Sequence, residues 1–219
     1  MALSSTRWSI LHAAQAGDGE AIGSLCTKYR PAVVAYLKRR GAGEDAEDLA
    51  QEVLVGLVDY LPKAHAQAGR FRSLVFAVAR NVLSHELERR GAQKRGGGET
   101  PLSHPDLDQI AREEPDEGFD REWLANLVRR CLERLRAEHA NYFQALQASL
   151  LEGQPQAEVA QALGIPTNSV KKHVYRGKQK VGAYLREEVY AYSLSTREAE
   201  AELSYLTRLL GPLGAAEAP

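Results

Sequence analysis

Apolar residues recur at helical spacing along two blocks of this chain, and a polar stretch without periodicity separates them. Residues 7–90 predict successive helices, divided by the breaks "AGDGE" and "RRGAGED", and residues 119–189 predict a second helical block. Residues 93–118 combine a glycine run, three prolines and many acids. This composition predicts a linker, because it cannot bury enough apolar surface to repay the entropy of ordering.

The pattern predicts an all-α fold, in which two small helical domains are joined by a flexible linker. The predicted boundaries are residues 1–92 and 119–189 for the domains, 93–118 for the acidic Gly/Pro-rich linker, and 190–219 for a C-terminal helical extension. Within the extension, "STREAEAELSYLTRLLG" is amphipathic and predicts one further helix.

The stretch "QAEVAQALGIPTNSVKKHVYRGKQKV" has the spacing of a helix-turn-helix, which places the motif in the second domain. Ala160 is small where two helices cross, Gly164 permits the tight turn, and Thr167 or Asn168 caps the second helix. Around that helix, Val170, Val174, Gly177 and Val181 share one face, and Lys171, Lys172, Tyr175, Arg176 and Gln179 share the opposite face.

Charge is distributed unevenly along the chain. The 219 residues have a formal net charge of −1, yet residues 168–182 contain several cations and no acid. A lysine-rich solvated helix is the plain explanation of such a run. The helix-turn-helix spacing instead favours a recognition helix that enters the major groove of DNA, with its cations facing the phosphates.

Composition excludes several other classes of protein. Strong helix formers dominate, and aromatic residues make up only 7% of the chain, so a fold built of β-strands is not expected. The N-terminal apolar stretch is too short and too interrupted for a secretory signal or a membrane span, so no membrane insertion is expected. Cys26 and Cys131 lie far apart with no CxxC pair, which favours two buried thiols in a reducing cytosol over a disulfide or a zinc cluster. We therefore expect a cytoplasmic protein.

An acidic helix face is predicted in "GEDAEDLAQEVLVGLVDYL". Its apolar residues Ala46, Leu49, Ala50, Val53 and Leu57 form the stripe of a buried face. Asp45, Asp48 and Glu52 lie on a different face, with Gln51 beside them. An exposed row of carboxylates next to apolar residues suits docking to a basic partner surface.

A second polar helix is predicted in "GRFRSLVFAVARNVLSHELERR". Arg80, Asn81 and His85 lie on its polar face, and Arg70 and Arg72 place cations at its beginning. Such a helix can read bases and hold phosphates.

These three stretches occur in one order around a linker, and together they resemble a bacterial RNA polymerase sigma factor of the extracytoplasmic-function (ECF) type. The resemblance covers roughly residues 7–188. It implies a sigma factor that binds core RNA polymerase and directs promoter recognition, with sigma domain two in residues 1–92 and sigma domain four in residues 119–189. It implies no cofactor.

The resemblance also implies roles for single residues. Docking on the clamp coiled coil of core polymerase falls to Asp45, Asp48, Leu49, Gln51 and Glu52. Binding of the −10 element falls to Arg70, Phe71, Arg80, Asn81 and His85, and Arg72 adds a cation beside them. Reading of the −35 element falls to Lys171, Lys172, Tyr175 and Arg176. The polymerase flap and an anti-sigma factor are further partners of such proteins.

Three other functions fit the sequence less well, and one of them, a purely structural helical adaptor, leaves the basic helix unexplained. A transcription regulator with an N-terminal sensing domain and a C-terminal helix-turn-helix would bind duplex operators without polymerase. An enzyme is disfavoured, because the chain has no HExxH, P-loop, GxSxG or dinucleotide motif and its six histidines are scattered. For the extension we expect a helix that packs against the C-terminal domain. The alternative is a regulatory helix that shields the −35-reading face or docks a partner.

Overall fold

The computed structural model describes residues 9–63, 71–94 and 117–210, and the regular structure of these residues is entirely helical. The α-helices are α1 (Ser9–Gln15), α2 (Gly19–Arg39), α3 (Ala46–Tyr60), α4 (Phe71–Lys94), α5 (Glu117–Glu138), α6 (Ala140–Leu146), α7 (Gln156–Leu163), α8 (Thr167–Ala191) and α9 (Thr196–Leu210). Short 3-10 turns at Gly43–Asp45 and Leu61–Lys63 flank α3, and a π-helical turn at Gln147–Leu151 follows α6. The predicted all-α, two-domain fold is confirmed. The predicted linker lies outside the described residues except at its two ends, in α4 and α5.

The chain divides into two compact units. The N-terminal unit comprises Met1–Asn126 and Tyr190–Glu202, and the C-terminal unit comprises Leu127–Val189 and Leu203–Pro219. The beginning of α5 and the first residues of the extension therefore belong to the N-terminal unit, whereas the extension was expected against the C-terminal domain. The boundaries derived from the sequence stay predictions.

In the N-terminal unit, α2 packs against α1, α3 and α4. Asp18 caps α2, since its side chain accepts a hydrogen bond from the backbone N–H of Ala21 at 2.9 Å. All five apolar positions predicted for the inner face of α3 are buried: Ala46, Leu49, Ala50, Val53 and Leu57. The helical period of the sequence thus identified the packed face correctly.

An aromatic cluster explains why the beginning of α5 and the residues after α8 belong to this unit. Trp123 of α5 is fully buried and stacks on Tyr29 of α2, with ring centroids 4.6 Å apart. The indole N–H of Trp123 donates to the hydroxyl of Tyr192 at 3.4 Å, and Phe71 of α4 lies 5.8 Å from the Tyr192 ring. Aromatic rings bury more area than any other side chain, so these contacts supply much of the packing of the unit.

The C-terminal unit contains the predicted helix-turn-helix, formed by α7 and α8. Its small core includes Val159, Ala160 and Val170, which the sequence had placed inside the motif. Gly164 ends α7 in the left-handed region at φ +62°, where a residue with a Cβ is disfavoured. The residues from which the motif was predicted therefore form its core and its turn.

Both cysteines are free thiols. Cys131 is buried, and burial raises the pKa of its thiol to about 12, whereas Cys26 is half-buried. Among the described residues, no helix is both long and apolar enough to cross a membrane.

Candidate functional site

The basic face of α8 is open to solvent. Lys171, Lys172 and Arg176 are exposed, whereas Tyr175 is half-buried. On the opposite side of the helix, Val170 is buried against α7. The separation of faces expected from the sequence is thus present, and it leaves three cations free to approach phosphates.

Arg176 is held by a residue that the sequence did not single out. Its Nη1 donates to the hydroxyl of Tyr142 on α6 at 3.2 Å. The ring of Tyr142 meets the ring of His173 edge-on, with centroids 5.3 Å apart, and Nδ1 of His173 lies 2.8 Å from the carbonyl oxygen of Ser169. Tyr142 therefore restricts where the Arg176 guanidinium can point.

Gly177 explains how α6 comes close enough for this contact. A Cβ at position 177 would lie 3.1 Å from Cδ1 of Leu146 and 3.2 Å from the carbonyl oxygen of Tyr142. The absent side chain lets α6 and α8 cross closely beside Arg176. A glycine on the apolar face of a recognition helix was the one sequence signal for such a neighbour.

The acidic face of α3 is also exposed. Asp45, Asp48, Gln51 and Glu52 are accessible, and Leu49 is buried in the core of the unit at 4% exposure. The Asp45 carboxylate forms an ion pair with Arg90 of α4. Asp48 has no ion pair with any other residue that the structure describes, so its carboxylate is available to a partner.

An apolar residue accompanies this row. Val55 lies seven positions after Asp48, which places it on the same face two turns along the helix, and it is 56% exposed. Val55 was not among the residues predicted for this face, although its position follows from the same helical period. The face therefore combines carboxylates with an exposed aliphatic side chain.

The residues predicted for the −10 element are placed differently along α4. Arg80, Asn81 and His85 are half-buried along the middle of the helix. The guanidinium of Arg80 lies over the Phe76 ring, 5.7 Å from its centroid. Arg70 lies outside the described residues.

The beginning of α4 is covered. Phe71 is 4% exposed within the aromatic cluster, and Arg72 is fully buried. Nε of Arg72 donates to Oε1 of Glu202 at 2.7 Å, and its Nη1 donates to a carboxylate oxygen of Asp120. Burial acts to lower the pKa of Arg72, but the hydrogen bond and charge of Glu202, with the charge of Asp120, outweigh it and raise that pKa. The DNA contacts predicted for Phe71 and Arg72 stay predictions.

The end of α4 forms a separate ion-pair group. Glu86 is buried and accepts from Nε of Arg89 at 2.7 Å and from Nε of Arg90 at 2.6 Å. The hydrogen bond from Arg89 is the main cause that lowers the pKa of Glu86. Because Arg90 also pairs with Asp45, this group ties the acidic face of α3 to α4.

Two family matches fall on these surfaces in the order that the sequence predicted. Sigma-70 region 2 matches residues 25–93, which contain the acidic face of α3 and nearly all of α4. Sigma-70 region 4 matches residues 125–181, which contain α6, α7 and the basic face of α8. The chain belongs to the sigma-70 family. This sigma factor directs promoter recognition, and a free-standing helix-turn-helix regulator is not favoured.

Known ECF sigma factors are similar to this chain over most of its length. This sigma factor is similar to the ECF RNA polymerase sigma factor ShbA of Streptomyces griseus subsp. griseus, with 26% identity over 190 residues that span 80% of this chain and 93% of the relative. It is also similar to the ECF RNA polymerase sigma factor SigD of Mycobacterium tuberculosis, with 24% identity over 188 residues that span 84% of each chain. The resemblance to the ECF type is thereby confirmed. Membership of this family implies binding of core RNA polymerase and of promoter DNA.

Proposed function

We propose that this sigma factor makes its contacts through three surfaces that the described residues present. The acidic face of α3 docks on the clamp coiled coil of core polymerase, the middle of α4 binds the −10 element, and the basic face of α8 reads the −35 element. The observation that carries this proposal is the separation of charge, because carboxylates are exposed on α3 and cations on α8. On this proposal the chain acts in the cytoplasm by binding core polymerase and promoter DNA, and it catalyses no covalent step itself.

The −35 surface follows from the geometry of the helix-turn-helix. Lys171, Lys172 and Arg176 are exposed within two turns of α8, which spans a length suited to one major groove. Arginine can donate two parallel hydrogen bonds to a guanine edge, and lysine neutralises phosphate without reading sequence. Arg176, oriented by Tyr142, is therefore the proposed base reader, and the lysines are the proposed phosphate contacts.

We expect Arg176→Ala to weaken transcription from −35-dependent promoters while binding to core polymerase is unchanged. Loss of one base contact costs about 1–3 kcal/mol, or roughly 5- to 150-fold in promoter affinity. The measurement is promoter binding by the reconstituted holoenzyme, repeated with each base of the −35 element substituted in turn.

Arg186→Ala is the matched control for this variant. Arg186 is exposed on the same helix but lies ten residues, about 15 Å, beyond Arg176. Its replacement therefore removes the same charge and side chain outside the two turns that carry the proposed contacts. Equal losses in the two variants would indicate nonspecific attraction to DNA and would remove Arg176 from the reading set.

The −10 surface depends on the half-buried polar residues of α4. An unpaired base must recover its lost stacking through contacts with the protein, and an amide such as Asn81 can both donate and accept hydrogen bonds to a base edge. The partial burial of Arg80, Asn81 and His85 limits their motion, so little further entropy is lost on binding.

We expect Asn81→Ala to leave closed-complex formation intact and to hinder promoter opening. The physical reason is that the amide acts only on a base that has left the duplex. Permanganate reactivity of thymines in the −10 region measures opening, and gel shift at low temperature measures the closed complex. Ser84→Ala, at an exposed position one turn away, is the control, and normal permanganate reactivity in Asn81→Ala contradicts the assignment.

A further inference from the structure

The Arg72 guanidinium at the beginning of α4 is fully buried in the N-terminal unit. Asp120 from α5 and Glu202 from α9 both contact it, and the exposed fraction of each side chain is 1% or less. Glu202 engages it on two sides, with Nε to Oε1 at 2.7 Å and Nη2 to Oε2 at 3.4 Å. Burying charges is unfavourable unless they are paired in good geometry. The burial of Arg72 therefore depends on α9 remaining in place, because α9 supplies Glu202.

The same segment also covers the first turn of α4. Glu198 of α9 accepts a hydrogen bond from the backbone N–H of Phe71 at 3.2 Å and another from Leu194 at 2.9 Å. The ring of Tyr192 packs on Phe71, and its hydroxyl lies 3.4 Å from Glu202. Residues Tyr190–Glu202 therefore contact both described residues that the −10 assignment places at the start of α4.

The chemistry of these contacts matches that of a DNA backbone. A guanidinium and the N–H groups of a helix N-terminus are donors that nucleic-acid phosphates use, and carboxylate oxygens satisfy them in the same way. Here Glu198 and Glu202 occupy those donors from within the chain. A phosphate and these carboxylates cannot occupy the same donors together.

We infer that residues Tyr190–Glu202 are an internal competitor of promoter DNA, which holds the beginning of α4 closed and must leave before the −10 strand binds Phe71 and Arg72. The inference rests on the proposed role of α4. It assigns to the first part of the C-terminal extension a regulatory function, exerted on the −10 surface and not on the −35 face. The opposing explanation is a permanent structural tie, in which Arg72 never meets DNA.

Hydrogen exchange in the unaltered chain separates these explanations. The experiment compares peptides from residues 190–202 in the free chain with the same peptides in an open complex, formed with core polymerase on a promoter from which the holoenzyme initiates. Competition predicts faster amide exchange in the open complex, because the segment is displaced. Equal or greater protection there overturns the inference.

Glu202→Gln provides a second, independent measurement. The amide nitrogen of glutamine cannot accept the second donor of Arg72, so the segment is held less tightly while the shape is kept. We expect the variant, as a full-length free chain, to bind the single-stranded −10 sequence about fivefold more tightly than wild type. Glu200→Gln is the matched control at an exposed position of the same helix, and its affinity should equal that of wild type.

The outcomes distinguish this inference from the function on which it rests. If Glu202→Gln and wild type bind the single-stranded −10 sequence with equal affinity and have matching circular dichroism spectra, the inference of an internal competitor is overturned. If Asn81→Ala hinders opening while residues 190–202 stay protected, only the competitor fails. Unhindered opening in Asn81→Ala removes the proposed −10 role of α4 itself.

Discussion

Replacing Asp48 with arginine should abolish association with core RNA polymerase while the fold survives. Asp48 is exposed on α3 and forms no ion pair with another described residue, so little intramolecular compensation is lost. At a basic docking surface, the substitution places like charges in contact, which costs several kcal/mol, or about a hundredfold or more in Kd. Fluorescence anisotropy of the labelled chain titrated with core polymerase measures the change.

Glu20→Arg is the matched control for this result. Glu20 is exposed in the first turn of α2, in the same unit, and its replacement makes the same change of charge. It replaces a favourable interaction with the helix N-terminus by an unfavourable one, and each is worth about 0.3–1 kcal/mol of stability. Thermal unfolding of both variants shows that the fold is kept. Wild-type affinity in Asp48→Arg would remove the acidic face of α3 from the polymerase interface.

Asp48 is a sharper test than Asp45, although the sequence placed both on one face. The Asp45 carboxylate is paired with Arg90, which is also bound to Glu86. A substitution at Asp45 therefore disturbs the link between α3 and α4 in addition to any partner contact. An effect at Asp48 has no such second explanation among the described residues.

The sequence predicted well those surfaces that depend only on the spacing of apolar and polar residues along a single helix. The buried stripe of α3 and the two faces of α8 need only the spacing of residues along one helix, because a helix fixes which side chains share a face. Gly164 was predictable for the same reason, since a tight turn between two helices requires a residue that tolerates positive φ. Helical spacing and turn chemistry were therefore sufficient wherever a residue packs against another residue of the same motif.

The features that the sequence did not predict depend on residues that are distant along the chain. The DNA contact of Arg72 stays a prediction, but the sequence did not predict its buried partners, which lie 48 and 130 residues away. Tyr142 lies 34 residues before Arg176, on a helix with no charge pattern of its own. No periodicity reports such contacts, because tertiary packing determines which helix covers a given position.

Trp123 shows the same limit for the domain boundaries, and it leads to the largest expected effect on stability. The sequence placed residues 119–189 in one domain, whereas Trp123 packs in the core of the N-terminal unit with Tyr29 and Tyr192. Trp123→Ala should lower the free energy of unfolding by about 3–5 kcal/mol, the usual cost of removing a fully buried aromatic ring. Urea denaturation followed by far-ultraviolet circular dichroism measures this loss.

The position of the damage tests the assignment of the beginning of α5 to the N-terminal unit. If Trp123 belongs there, hydrogen exchange in Trp123→Ala should rise first in α2 around Tyr29, which loses a ring stacked at 4.6 Å. Phe143→Ala is the comparison, because Phe143 is a half-buried aromatic residue of the C-terminal unit and its loss should leave α2 protected. Unchanged protection of α2 in Trp123→Ala, with faster exchange in α7 and α8, would instead return the beginning of α5 to the helix-turn-helix domain. Because a buried ring stabilises the unit that surrounds it, the exchange pattern is expected to follow the packing and not the order of the chain.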